Sequence, residues 1–146
     1  MIELPSAEST DALGRRIAGL LRPGDIVALF GDLGAGKTTL ARGILAGLGH
    51  EDDVASPTFP IVIAYEELSP PLWHVDLYRI EHPAELEELA LDDALSDAAL
   101  VIEWPERLGP SLWAHALRLH LTVAGEGRRA LTADVPPAWT DRWSLQ

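Results

Sequence analysis

Cysteine is absent from the 146 residues, which excludes disulfides and thiolate metal sites. Lysine occurs once, at Lys37, while the other ten basic residues are arginine. No apolar run approaches the length that crosses a bilayer. Residues 1–10 lack the basic and apolar pattern of a secretory signal, so a cytosolic protein is expected. There is no H-E-x-x-H spacing for a zinc helix and no N-K-x-D for reading guanine. A GTPase is therefore disfavoured. Positive charge is scarce, and formal net charge is −12. Residues 51–110 hold two basic and fifteen acidic groups, so the excess acid lies in the middle of the chain. Such a surface repels nucleic acid, and any role in nucleic-acid metabolism is expected to run through a protein partner. Solubility is the plainer account of the same acids.

What is present suits one globular domain: hydrophobic content is 47%, high enough to build a core and to exclude a disordered chain. The stretch Gly31-Asp32-Leu33-Gly34-Ala35-Gly36-Lys37-Thr38 fits G-x-x-x-x-G-K-[ST] without a mismatch. Ile26–Phe30 before it reads as a buried strand. After it, Leu40, Ala41, Ile44, Leu45 and Leu48 share one helical face. Glycines let the backbone curl and turn N–H groups inward, and the following helix adds its positive end. Lys37 supplies a compact charge for outer phosphates, and Thr38 a hydroxyl for Mg²⁺. The favoured nucleotide is ATP. The binding loop comprises Asp32, Leu33, Gly34, Ala35, Gly36, Lys37, Thr38 and Thr39.

A short strand or arm is expected over 3–8 and a helix from Ser9-Thr10-Asp11, with Thr10 as a capping residue. Pro60–Tyr65 reads as a strand, and Ser56-Pro57-Thr58-Phe59 before it as a turn or a loop that senses the terminal phosphate. Leu72–Asp76 is a strand ending in a carboxylate. Pro83 opens a single helix to about Leu95, acidic through Glu85, Glu87, Glu88, Asp92 and Asp93; it is a solvated face or a partner surface. Ala98–Ile102 is an apolar strand delivering Glu103 to the edge where ligands bind in open α/β sheets. Residues 117–123 and 128–135 form an antiparallel hairpin. The fold class is α/β: a single P-loop NTPase-like domain, a three-layer sandwich with a mostly parallel central sheet and antiparallel strands at its C-terminal end. The domain spans 1–135, and 136–146 is a C-terminal extension, packed or flexible, whose Trp139 and Trp143 are expected to pack down.

The loop chemistry needs an acid to organise metal and water. Glu103 is expected to hold Mg²⁺ with Thr38, directly or through water, and Asp76 to orient water or join the metal's outer shell; the two roles are interchangeable at this point. Solvated strand-end acids are the plainer reading of both. His74 reads as a packed histidine. Arg79 and Arg128 are candidate phosphate or base contacts, with ion pairing as the alternative.

Together, Gly31 through Leu40, Ser56-Pro57-Thr58-Phe59, His74-Val75-Asp76-Leu77-Tyr78-Arg79 and Glu103-Trp104-Pro105 resemble the bacterial TsaE (formerly YjeE) family over about residues 5–130. The resemblance implies a Mg²⁺-dependent ATPase, weak alone, needed for threonylcarbamoyladenosine in tRNAs that read codons beginning with A. It implies partners TsaD and TsaB, contact with tRNA only through that complex, and TsaC as maker of the threonylcarbamoyl-adenylate. The ATP cycle would reset the complex between turnovers. It also implies catalytic roles for Lys37, Asp76, Glu103 and Thr58, metal contacts from Thr38, Glu103 and Asp76, and nucleotide contacts from Thr10 and Arg128. Pro60 stands where the family pattern would have a polar residue, and 136–146 match no family motif. A small-molecule phosphotransferase and a nucleotide-gated binding module with incidental hydrolysis are the alternatives.

Overall fold

The structure is a computed structural model that describes residues 1–32, 34–50 and 62–145. In chain order the elements are β1 (Ile2–Leu4), α1 (Ala7–Ala18), β2 (Ile26–Phe30), α2 (Lys37–Gly47), β3 (Val62–Tyr65), β4 (Leu72–Asp76), α3 (Pro83–Glu88), α4 (Leu91–Ala94) and β5 (Ala99–Glu103). A 3-10 segment (Pro105–Ser111), β6 (Leu117–Gly125), β7 (Arg128–Asp134) and α5 (Pro137–Thr140) follow. The strands form one sheet in the order β1-β7-β6-β2-β5-β4-β3. Its four middle strands, β6, β2, β5 and β4, run parallel. The pairings outside them are antiparallel. This is the expected α/β fold with a parallel centre and the C-terminal hairpin, β6–β7. An antiparallel edge also closes the other side, where β3 joins β4.

Parallel strands covered on both faces must be apolar throughout, and β2 and β5 are: Ile26 to Leu29 and Ala99 to Ile102 are fully buried. Alternation divides them between two cores. Val27, Leu29, Ala99 and Val101 pack with Leu13 and Ile17 of α1 and Leu40, Ile44 and Leu45 of α2. Ile26, Leu100 and Ile102 pack with Val75, Leu91, Ala94 and Leu108 on the other face. The helices α1 and α2 approach so closely that a Cβ on Gly43 would lie 2.4 Å from Asp11 O, and one on Gly14 would lie 2.5 Å from Leu40 O.

Two expectations are corrected. The first helix starts earlier than Ser9, and the segment before it is the short strand β1 rather than 3–8. Ser6 is the N-cap: its Oγ accepts the Ser9 N–H at 3.2 Å, while Ser9 Oγ accepts the Ser6 N–H at 3.0 Å. Two serines three apart make a reciprocal cap, which outcompetes a single capping side chain at Ser9. The acidic helix is not continuous to Leu95 but breaks at Ala90, which is left-handed with φ 53°. A straight helix would turn Leu91 away from the side that carries Leu86 and Leu89. The break brings all three, with Ala94, onto the far-face core. Trp139 is fully buried and Leu145 nearly so, both in the core beneath α1 and α2. Trp143 is partly buried against that core.

Candidate functional site

The carboxyl edge of the parallel strands carries the site. β2 ends at Phe30, and the loop to α2 begins at Gly31, whose φ is 150° and whose Cβ, if present, would sit 2.7 Å from Leu121 O. Gly36 caps α2 with φ 103°, a left-handed turn that a side chain would strain. The helix starts at Lys37, so its unpaired N–H groups face the loop's concavity.

Four expected residues converge there. Lys37 is 5% exposed, and among the described residues its Nζ has no hydrogen-bond partner. Burial lowers its pKa, against the pull of Glu103 and other nearby acids. The ammonium instead lies 3.3 Å from the centroid of the Trp104 ring. Thr38 Oγ1 donates to Glu103 Oε1 at 3.2 Å. Glu103 Oε2 is 2.7 Å from His74 Nε2, and both residues are buried. Asp76 stands beside Glu103 in register on the neighbouring parallel strand. Its Oδ1 accepts the Tyr78 N–H at 2.9 Å. Burial raises the Asp76 pKa; the Tyr78 N–H opposes this and the Glu103 charge adds to it. Lys37, Thr38, Asp76 and Glu103 line a cleft of about 330 Å³ with Gly34, Gly36, Thr39, Tyr78, Trp104 and Arg129.

Register explains the convergence. His74 and Asp76 are two apart in β4, so they share a face. Their β5 partners are Val101 and Glu103. That face is the one α2 covers, which brings both carboxylates against the first turn of α2. Neither acid is a solvated strand end.

Other expected residues fall elsewhere. Thr10 is buried within α1, its hydroxyl donating to Ser6 O at 3.3 Å, and does not line the cleft. It lies inside the helix rather than capping it. Asp32 is exposed and its carbonyl accepts the Ala35 N–H at 3.0 Å; Ala35 is buried. Arg79 is exposed in a shallow depression with Arg107. Arg128 is exposed and borders a depression beside Met1, Glu3 and Leu4. Its neighbour Arg129 takes the place at the loop, with Nη2 donating to Gly34 O at 2.9 Å. Adjacent strand residues face opposite ways, so one position decides which arginine arrives. Leu33 and Thr58, with the whole Ser56–Phe59 motif, lie outside the described residues.

Trp104, Arg129 and His74 had no site role assigned from the residues alone. Trp104 follows the last residue of β5 in a left-handed conformation, φ 59° and ψ 49°. Strain of this kind collects at functional sites; here it accompanies the indole over Lys37. Arg129 was hidden by its neighbour. His74 is packed, as expected, but on a carboxylate; the two-residue spacing to Asp76 was the available signal.

The chain as a whole is similar to known proteins. A family model described as "Threonylcarbamoyl adenosine biosynthesis protein TsaE" matches residues 4–131. The tRNA threonylcarbamoyladenosine biosynthesis protein TsaE of Streptomyces coelicolor is 48% identical over 140 residues, covering 84% of this chain and 95% of that protein. The protein of the same name from Bacillus subtilis is 38% identical over 126 residues, covering 86% and 78%. The crystal structure of Bacillus subtilis YdiB superposes with a TM-score of 0.80 at 28% identity, covering 96% of this chain and 87% of that one.

Proposed function

This chain belongs to the TsaE family, and on that footing we propose that it is a Mg²⁺-dependent ATPase of tRNA threonylcarbamoyladenosine synthesis, working in the cytoplasm with TsaD and TsaB. The observation that carries the reading is the buried Lys37 ammonium, without a hydrogen-bond partner among the described residues, facing a glycine cradle at a helix start. Acids lie nearby, but none is hydrogen-bonded to the ammonium among the described residues, and a buried donor left so calls for an acceptor from outside. A triphosphate fits the cradle, since main-chain N–H groups and the helix dipole favour negative charge at that point.

Thr38 Oγ1 and Glu103 Oε1 are hard oxygen donors 3.2 Å apart, the donor type that suits Mg²⁺ held jointly by protein and phosphate. Bound there, the ion would neutralise charge developing on the outer phosphates. Lys37 adds a second positive charge in a nearly dry site, where it counts for more than in water. Asp76 is the general base of this scheme. Its burial raises its proton affinity, and it takes one proton from the water that attacks the terminal phosphorus. No helix among the described residues is long and apolar enough to cross a membrane.

The test is ATP turnover with and without Mg²⁺ and with and without TsaD–TsaB, beside co-purification with that pair. Turnover should need Mg²⁺ and rise with the partners. Lys37→Ala should lose at least about 100-fold, the scale of removing one charge-stabilising group. Mg²⁺-independent turnover, full activity in Lys37→Ala, or no association with TsaD–TsaB would overturn the reading.

A further inference from the structure

Glu103 uses both carboxylate oxygens. Oε1 accepts from Thr38, and Oε2 meets His74 Nε2 at 2.7 Å. A carboxylate only accepts, so His74 must carry its hydrogen on Nε2. The imidazole is fully buried, Glu103 is its one hydrogen-bond partner among the described residues, and Nδ1 has none there. Because no other bond holds this ring, its polar interaction is committed to that one oxygen. His74 is absent from the cleft lining, so it stands behind Glu103 rather than in front of the ligand space.

The consequence is rotational. A carboxylate tied at Oε2 cannot swing Oε1 off Thr38 without giving up a short, charge-assisted bond. We propose that His74 is a positioning residue for Glu103, fixing the carboxylate so that Oε1 is presented with Thr38 Oγ1 to a divalent cation. This rests on the Mg²⁺ reading of the site. His74 itself touches neither nucleotide nor metal.

The discriminating pair is His74→Gln and His74→Asn. The glutamine amide nitrogen matches the reach of Nε2 and can still donate to Oε2; the asparagine amide stops at the depth of Nδ1. Mn²⁺ binding to the full chain saturated with a non-hydrolysable ATP analogue, read by electron paramagnetic resonance, reports the metal site without turnover. His74→Asn should weaken Mn²⁺ affinity and lower kcat, each by about 10–100-fold, with metal-free affinity for the analogue unchanged. His74→Gln should restore most of both. Thermal unfolding of the two variants should match. Unchanged Mn²⁺ affinity in His74→Asn would overturn the proposal. So would equal losses in both variants accompanied by equal drops in unfolding temperature, the mark of a purely structural residue. If the wild type with analogue binds no Mn²⁺, the Mg²⁺ reading itself falls; if it binds and His74→Asn binds equally, only the role of His74 falls.

Discussion

Asp76 and Glu103 sit side by side on adjacent parallel strands, yet their surroundings differ. Glu103 is held by two side-chain partners, whereas Asp76 has one backbone N–H and a neighbouring negative charge. The environment of Asp76 favours its protonated form. With a folded pKa above the unfolded value, the stability this group contributes is full at acid pH and is lost as pH rises through the folded pKa. Above its folded pKa the ionised Asp76 therefore weighs against the fold. Asp76→Asn keeps the acceptor for Tyr78 and removes the charge. In the ligand-free protein it should raise the unfolding temperature at pH 7–8 by about 2–4 °C, on the order of 1 kcal/mol. That gain should shrink as pH falls toward the usual carboxylate range near about 4. The same change should lower ATP turnover at least about 100-fold if Asp76 is the base. Calorimetry across pH and a turnover assay check the two halves separately.

At the level of elements, α2 does two jobs. Its first turn follows the glycine loop and carries Lys37 and Thr38, and its flank packs against α1 with almost no space between backbones. Gly14 and Gly43 permit that approach, since a Cβ at either would meet main-chain atoms. Gly43→Ala should destabilise the fold by about 2–3 kcal/mol, as overpacking against rigid backbone does, measured by urea unfolding. Since α2 also carries Lys37 and Thr38, nucleotide affinity should fall in the same variant. The strand β5 shows how far such elements are legible from residues. Five apolar positions followed by an acid identify it as a central strand, and the structure places it beside β2. The helix expected over 83–95 was legible as helix but not as two pieces, α3 and α4. Its break at Ala90 is set by what Leu86, Leu89 and Leu91 must reach across the sheet, and no local residue preference announces it.

In the molecule as a whole, the C-terminal segment is tied to the start of β2 by charge as well as packing. Arg142 Nη1 and Nη2 donate to the two oxygens of buried Asp25 at 2.6 and 3.0 Å, and Nη1 also reaches Leu20 O at 2.7 Å. The guanidinium lies 4.0 Å from the Trp139 ring centroid. Breaking one side of a buried pair leaves an uncompensated charge. Arg142→Met should therefore cost about 3–5 kcal/mol, and adding Asp25→Asn should recover much of it; a double-mutant cycle by chemical denaturation measures the coupling. The net charge of −12 is a property of the same scale. Glu87, Glu88, Asp92 and Asp93 of α3 and α4 are exposed.

The residues alone determined the glycine loop between strand and helix, the two acid-tipped strands, the hairpin and the α/β class, because each is written in local pattern: glycines where the backbone must curl, apolar runs where both faces are covered, alternation where one is. Tertiary structure decided what those parts do to one another. It put Asp76 level with Glu103, His74 behind the carboxylate, Trp104 over Lys37 and Arg129 rather than Arg128 on the loop. These are outcomes of register and side-chain direction between segments far apart in the chain. A shift of one residue along a strand reverses the face and leaves composition and local pattern untouched.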